Sequence, residues 1–135
     1  MAVEITGEYT GGLKMRLRHG PSGLEIPTAA PVDNQGDGSS FSPTDLLAAS
    51  LGACMVTTMA IVARREGIPF EGAGFTLEKH MRSDPRRVDS LPVTVRMPAG
   101  LTAEQRERLE GVARTCPVER SLHPDVRREF TFVYG

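Results

Sequence analysis

The sequence predicts an α+β fold on the basis of three features. Short segments with alternating apolar and polar residues occupy the first 28 positions and recur in the second half of the chain. Between them lies a long uncharged stretch, residues 46–63, with helix signals beyond both of its ends. A shorter helical segment then precedes a closing alternating segment at 129–134. This order of strands, long helix, strands, short helices and strand is typical of an α+β protein.

The first third of the chain predicts strands joined by tight turns. Gly11-Gly12 separates two alternating segments and is a hairpin signal, and a second turn follows at 20–23. Residues 29–40 are rich in Pro, Gly, Asn, Asp and Ser and are predicted as a loop. The predicted strands are residues 3–10, 13–19 and 24–28.

The long helix is predicted at residues 43–66 because both ends carry sequence signals. Ser42 is a candidate N-cap, Pro43 suits the first helical position, and Asp45 stands where a capping-box acid stands. Gly67 supplies the stop signal at the other end. The remaining predicted elements are strands at 73–81 and 91–97, a helix at 103–114, a helix start at Cys116-Pro117 and a closing strand at 129–134.

Composition predicts one ordinary globular domain over residues 1–135. The formal net charge is −1, the basic residues are scattered or paired, and the chain has no Trp, so a nucleic-acid-binding function is not indicated. The N-terminal sequence lacks the charged and apolar pattern of a secretory signal. We therefore expect a cytoplasmic protein, in which two cysteines would stay reduced or pair only transiently.

The uncharged stretch from Leu46 to Ala63 is long enough for a membrane span. It is rich in Ala, Ser, Thr and Gly and begins with a cap typical of soluble helices, so a membrane span is not predicted. A helix that is apolar on all sides should be buried on all sides. Because a monomer of 135 residues has little material with which to cover such a helix, we predict a homodimer.

Cys54 and Cys116 are the only cysteines and the main candidates for chemistry. Cys116 precedes Pro117 and would cap a helix, where backbone N–H groups lower a thiol pKa; it could equally be a small residue filling a corner. Cys54 lies in mid-helix, where a buried and inert cysteine is the alternative to a reactive one. A zinc site built from the cysteines and any of His19, His80 and His123 is a further alternative, although their spacing does not match a ligand pattern.

Both cysteine segments resemble those of one known family. The segment from Ser42 to Cys54, SPTDLLAASLGAC, resembles the long-helix signature of the OsmC/Ohr family, and Cys116-Pro117-Val118 with Leu122 resembles its second cysteine motif. The resemblance extends over almost the whole chain. It implies an intertwined homodimer in which long central helices are wrapped by antiparallel sheets.

The resemblance also implies a thiol-dependent peroxidase that reduces organic hydroperoxides in oxidative-stress defence. Cys54 would attack the peroxide and become a sulfenic acid, and Cys116 would condense with it to form a disulfide. A dithiol, such as a lipoyl group on a partner protein, would reduce that disulfide. No metal or bound cofactor is implied.

Two positions differ from the peroxide-active members of the family. Thr44 stands where those members carry Glu, and Leu13 stands where they carry Arg after an early Gly-Gly. Arg16 and Arg18 are candidate activators of Cys54 in place of that arginine, although isolated strand arginines are usually solvated charges. The alternative function is therefore a redox-sensing or small-molecule-binding dimer of the broader OsmC-like branch that turns over little peroxide.

Overall fold

The computed structural model describes all residues from Met1 to Gly135 and confirms the α+β class. The strands are β1 Ile5–Gly11, β2 Lys14–His19, β3 Glu25–Ala29, β4 Gly74–Leu77, β5 His80–Arg82, β6 Arg87–Met97 and β7 Arg127–Tyr134. The helices are α1 Pro43–Glu66, α2 Ala103–Ala113 and α3 Pro117–Ser121, with a short 3₁₀ turn at Val32–Asn34.

The chain divides into two compact units, Met1–Leu47 and Ala48–Gly135. The first unit holds an antiparallel sheet in the order β1-β2-β3. The hairpin between β1 and β2 places Gly11, Gly12 and Leu13 at φ values of 88°, 65° and 62°. Glycine adopts this left-handed region without strain, which is why the Gly-Gly pair marks the turn. The prediction of a single domain over residues 1–135 stays a prediction.

The second unit holds a four-stranded sheet in which β6 pairs with β4, β5 and β7. The pairs with β4 and β5 are antiparallel, but β7 runs parallel to β6. The expectation of antiparallel sheets is therefore wrong for the pairing of β7 with β6. The physical reason is the connection: a chain that passes through α2 and α3 between two strands is long enough to return in the same direction.

The core of the second unit forms between α1, the inner face of β6 and α2. Along β6 the residues alternate, so that Leu91, Val93 and Val95 are buried while their neighbours are partly exposed. The remaining fully buried residues of this core include Leu51, Met55, Met59, Leu109 and Ala113. A cation–π contact also holds α2 to β7, because the Arg106 guanidinium lies 4.1 Å from the centre of the Tyr134 ring.

Helix α1 has the predicted bounds because its end signals form the expected bonds. The Ser42 backbone N–H donates to the Asp45 carboxylate at 2.8 Å, and the Asp45 N–H donates to the Ser42 hydroxyl at 3.1 Å. At the other end Gly67 has φ 69°, and the Ile68 N–H donates to the Ala63 carbonyl at 2.8 Å. The cap and the stop are confirmed.

One long face of α1 is not covered within a single chain. The helix is long and apolar enough to cross a membrane by length and composition, and only 39% of its most apolar window is buried. On this face Ala53, Thr57 and Ile61 are exposed, and Ile61 keeps 58% of its surface accessible. An uncharged helix face of this kind needs a covering surface.

Substitution by alanine is expected to have opposite effects on stability at two helical glycines. A methyl group added at Gly52, which is buried on α1, would lie 2.4 Å from the Phe75 ring, whereas one at Gly111 on α2 would meet nothing within 4 Å. Alanine gains about 1 kcal/mol over glycine in a helix, but overpacking a core costs about 1–3 kcal/mol. We expect Gly52→Ala to lower the free energy of unfolding and Gly111→Ala to raise it by about 0.5–1 kcal/mol. Urea denaturation of both variants measures this, and a stabilised Gly52→Ala variant would contradict the close packing at Phe75.

Candidate active site

Cys54 lies in the middle of α1, on the boundary between the buried and the exposed face. Its side chain is half-buried and packs against the hydrophobic core. Its sulfur lies 3.9 Å from the Thr58 hydroxyl one turn later on the helix. A thiol and a hydroxyl are both uncharged. The environment that α1 provides for the Cys54 sulfur is therefore weakly polar.

Cys116 caps α3, as the sequence predicts, and is fully buried. Its backbone is extended, Pro117 occupies the first helical position, and the Glu119 backbone N–H donates to the Cys116 sulfur at 3.4 Å. The residue before proline is restricted to extended conformations, which is what an N-cap requires. The Cys-Pro sequence therefore places the sulfur at the start of the helix.

The fold brings the two cysteines together although 61 residues separate them. Both are free thiols, and their side chains lie close enough for Cys54 to raise the pKa of the Cys116 thiol. A thiol pair in contact can convert to a disulfide without a large rearrangement of the chain. Cys54 is the more accessible partner and Cys116 the enclosed one.

The prediction of a lowered pKa for the capping cysteine is wrong. Burial raises the pKa of the Cys116 thiol above its ordinary value, and the contact with Cys54 raises it further, because a second negative charge beside Cys54 is unfavourable. The backbone N–H groups of Glu119 and Val118 lower the pKa of Cys116, but they do not outweigh burial. Cys116 is therefore held as a neutral thiol while it faces Cys54.

The predicted activators Arg16 and Arg18 lie on β2, in the unit formed by Met1–Leu47. The Arg16 guanidinium donates to Glu8 at 2.8 Å and lies 3.7 Å from the Glu25 carboxylate, and its side chain is 49% exposed. Arg18 is exposed on the same strand. Their role toward Cys54 stays a prediction.

The two positions that differ from the peroxide-active pattern have local roles in the structure. Thr44 lies 3.2 Å from the Ser42 hydroxyl within the first turn of α1. Asp45 is engaged in the capping bonds, so its carboxylate already has a structural partner. Leu13 forms part of the hairpin between β1 and β2.

Sequence reasoning missed an ion pair next to Cys116. The sequence suggests that Arg127 and Arg128 are both surface charges. The Arg127 side chain is indeed 73% exposed, but the Arg128 side chain is only 16% exposed. Arg128 forms two parallel hydrogen bonds with Glu119, at 2.8 and 2.9 Å. The opposite charges are visible in the sequence, but their pairing depends on how α3 lies against β7.

The cysteines and histidines do not gather into a metal site. No group of three or more His, Cys, Asp or Glu side chains is placed to hold a metal ion. His80 pairs with Glu78 at 2.9 Å, and His123 lies 3.8 Å from Asp125, so these two histidines have local partners. The alternative of a zinc site with the two cysteines has no support in this arrangement.

Both cysteine-bearing segments fall within the match to a single protein family. The sequence model of the OsmC-like protein family matches residues 36–130. A crystal structure from Psychrobacter arcticus 273-4, of a protein provisionally described as an osmotic stress induced and detoxification response protein, is 39% identical to this chain. It superposes with a TM-score of 0.89, covering 98% of this chain and 96% of the other. No curated protein has a sequence that matches this chain significantly.

More distant solved structures share the fold. An organic hydroperoxide resistance protein OsmC from Legionella pneumophila is 22% identical with a TM-score of 0.74, over 98% of this chain and 96% of the other. An OsmC-like protein from Mycoplasma pneumoniae is 15% identical with a TM-score of 0.82, over 99% and 97%. At these identities the similarity establishes the architecture.

Proposed function

Because this chain belongs to the OsmC-like protein family, we propose that it is a thiol-dependent peroxidase that reduces organic hydroperoxides in oxidative-stress defence. The contact between two free thiols of unequal exposure carries the proposal. An accessible cysteine can meet a substrate, while an enclosed cysteine beside it can react only with its neighbour. This asymmetry suits a peroxidatic Cys54 and a resolving Cys116.

The proposed cycle has three steps. The Cys54 thiolate attacks one peroxide oxygen, the O–O bond breaks, and the alkoxide that leaves takes up a proton to become the alcohol, so Cys54 becomes a sulfenic acid. The Cys116 sulfur, after losing its proton, attacks the Cys54 sulfur and displaces hydroxide, which combines with that proton to give water. A dithiol, such as a reduced lipoyl group on a partner protein, then reduces the disulfide by exchange.

The surroundings of Cys54 favour an organic hydroperoxide over hydrogen peroxide. Cys54 packs against the apolar core, and its neighbour one turn later on the helix, Thr58, is uncharged. An alkyl or aryl group gains free energy when it leaves water for such a surface, whereas hydrogen peroxide has no apolar group to bury. The proposed substrate is therefore a hydroperoxide with an apolar substituent.

We propose that the protein works as a homodimer in the cytoplasm. A second copy of the chain is the proposed cover for the exposed face of α1, because that face lies on a helix with no charge from Leu46 to Ala63. A reducing compartment would keep Cys54 and Cys116 as thiols between turnovers, which supports a cytoplasmic location.

A redox-sensing or ligand-binding dimer is the second candidate function. Three observations favour it: Arg16 is paired with Glu8, Asp45 is engaged in the helix cap, and Leu13 stands in the hairpin where peroxide-active relatives carry a cation. Under this alternative the two cysteines still form a disulfide, but turnover is slow because peroxide attack lacks electrostatic support.

Kinetics with two peroxides and a dithiol test the proposal. The reduced protein is mixed with tert-butyl hydroperoxide or hydrogen peroxide, with and without dihydrolipoamide, while loss of peroxide is followed. We expect many turnovers only when the dithiol is present, faster consumption of the alkyl peroxide, and a Cys54–Cys116 disulfide in peptide mass spectra. A disulfide that forms slowly and without multiple turnover would favour the sensing function.

A further inference from the structure

The ion pair between Glu119 and Arg128 is largely enclosed on both sides. The Arg128 side chain keeps 16% of its surface accessible and the Glu119 side chain keeps 18%. Both carboxylate oxygens of Glu119 accept a hydrogen bond, from Nε and from a terminal nitrogen of Arg128. This two-point arrangement fixes orientation as well as distance.

The remaining terminal nitrogen of Arg128 binds the segment that follows α3. It donates to the His123 carbonyl at 3.1 Å and to the Val126 carbonyl. One side chain on β7 thus holds both a residue of α3 and the loop between α3 and β7. Helix α3 has five residues, which is too short to be stable without such tertiary contacts.

Glu119 joins this clamp to the Cys116 sulfur. Its side chain is held by Arg128, and its backbone N–H donates to Cys116. That N–H lowers the thiol pKa against the opposing effect of burial. A shift of α3 would therefore remove a hydrogen-bond donor from a fully buried sulfur.

We propose that Glu119 and Arg128 are positioning residues for Cys116, because their ion pair keeps the Glu119 backbone N–H on the sulfur when it becomes an anion. This inference rests on the proposed dithiol cycle. In that cycle the Cys116 sulfur is an anion when it attacks Cys54, and it is an anion again when reduction of the disulfide releases it. The pair acts through the backbone and touches neither the peroxide nor the reductant.

The neighbouring arginine provides a matched control. Arg127 also lies on β7 and pairs with a carboxylate, Asp89, at 2.6 Å. This second pair joins β7 to β6, and its carboxylate lies on β6, whereas that of the first pair lies on α3. Removing it changes the same kind of interaction on the same strand without releasing Glu119.

The test measures the Cys116 pKa in a Cys54→Ser background, where Cys116 is the sole thiol and its thiolate is followed by ultraviolet absorption. We expect Arg128→Met to raise the Cys116 pKa by about one unit, because the thiolate loses a hydrogen bond. Glu119→Gln should raise it less and Arg128→Lys should restore part of the difference. Arg127→Met should leave it unchanged.

A second measurement follows disulfide formation with Cys54 present. Arg128→Met should slow closure of the Cys54–Cys116 disulfide about tenfold, as one pKa unit of lost thiolate implies, while Arg127→Met does not. A Cys116 pKa that is equal in all variants, with only the melting temperature lowered, would overturn the inference. If Arg128→Met does not fold, Arg128→Lys and Glu119→Gln decide the question. The pKa measurement uses no peroxide, so its result stands whether or not the protein is a peroxidase.

Discussion

Cys54→Ser is expected to abolish hydroperoxide consumption, with a loss of about 1,000-fold or more, because the attacking thiolate is gone and a serine hydroxyl cannot replace it. Cys116→Ser is expected to behave differently. The first oxidation of this variant by peroxide should keep the wild-type rate, since Cys116 is buried and enters the proposed cycle only after Cys54 has reacted. Turnover should then stop with Cys54 as a sulfenic acid, which excess peroxide converts to a sulfinic acid.

Stopped-flow kinetics and mass spectrometry of both variants separate these roles. A reagent that traps sulfenic acids should label Cys54 in Cys116→Ser and should label wild type only briefly. Circular dichroism and the melting temperature serve as controls for folding. If Cys116→Ser stops the first oxidation while Cys54→Ser does not, the roles of the two cysteines are reversed.

Ile61→Asp is expected to separate the two copies of the proposed homodimer. Ile61 is 58% exposed on the uncharged face of α1, and a two-fold axis would bring the substitution into the interface twice. Burying an unpaired carboxylate costs several kcal/mol, which corresponds to a weakening of dimerisation by at least about 1,000-fold. Sedimentation velocity at several protein concentrations measures the effect.

Ile61→Val is the matched control, because it keeps an apolar side chain of similar shape and should remain dimeric. The folded state of Ile61→Asp should persist, because the side chain lies outside the core of a single chain. An Ile61→Asp variant that stays fully dimeric would show that a second copy does not cover this part of α1.

The bounds of α1 and the cap of α3 could be predicted from the sequence because both depend on neighbouring residues. Ser42 and Asp45 lie within one helical turn and bond to each other's backbone, and Gly67 can adopt the conformation that ends a helix. Cys116 precedes a proline that suits a first helical position. Hydrogen bonds over three or four residues need no knowledge of the rest of the fold.

Long-range features required the tertiary structure. The parallel pairing of β7 with β6 depends on the path through α2 and α3, and the clamp between Arg128 and Glu119 depends on the same path. A residue pattern predicts which face of a strand is apolar, but it does not specify the partner strand or the direction of pairing.

The chain's sequence by itself determined that Cys54 lies in mid-helix, that Cys116 caps a helix, and that the family is OsmC-like. Only the tertiary structure decided that the two thiols meet and that the pKa of Cys116 is raised instead of lowered. A helix cap acts over one turn, so it can be recognised from residues that lie close together in the sequence. Burial and the contact with Cys54 come from segments far apart in the chain, and at a fully enclosed sulfur the loss of solvation outweighs the local hydrogen bonds.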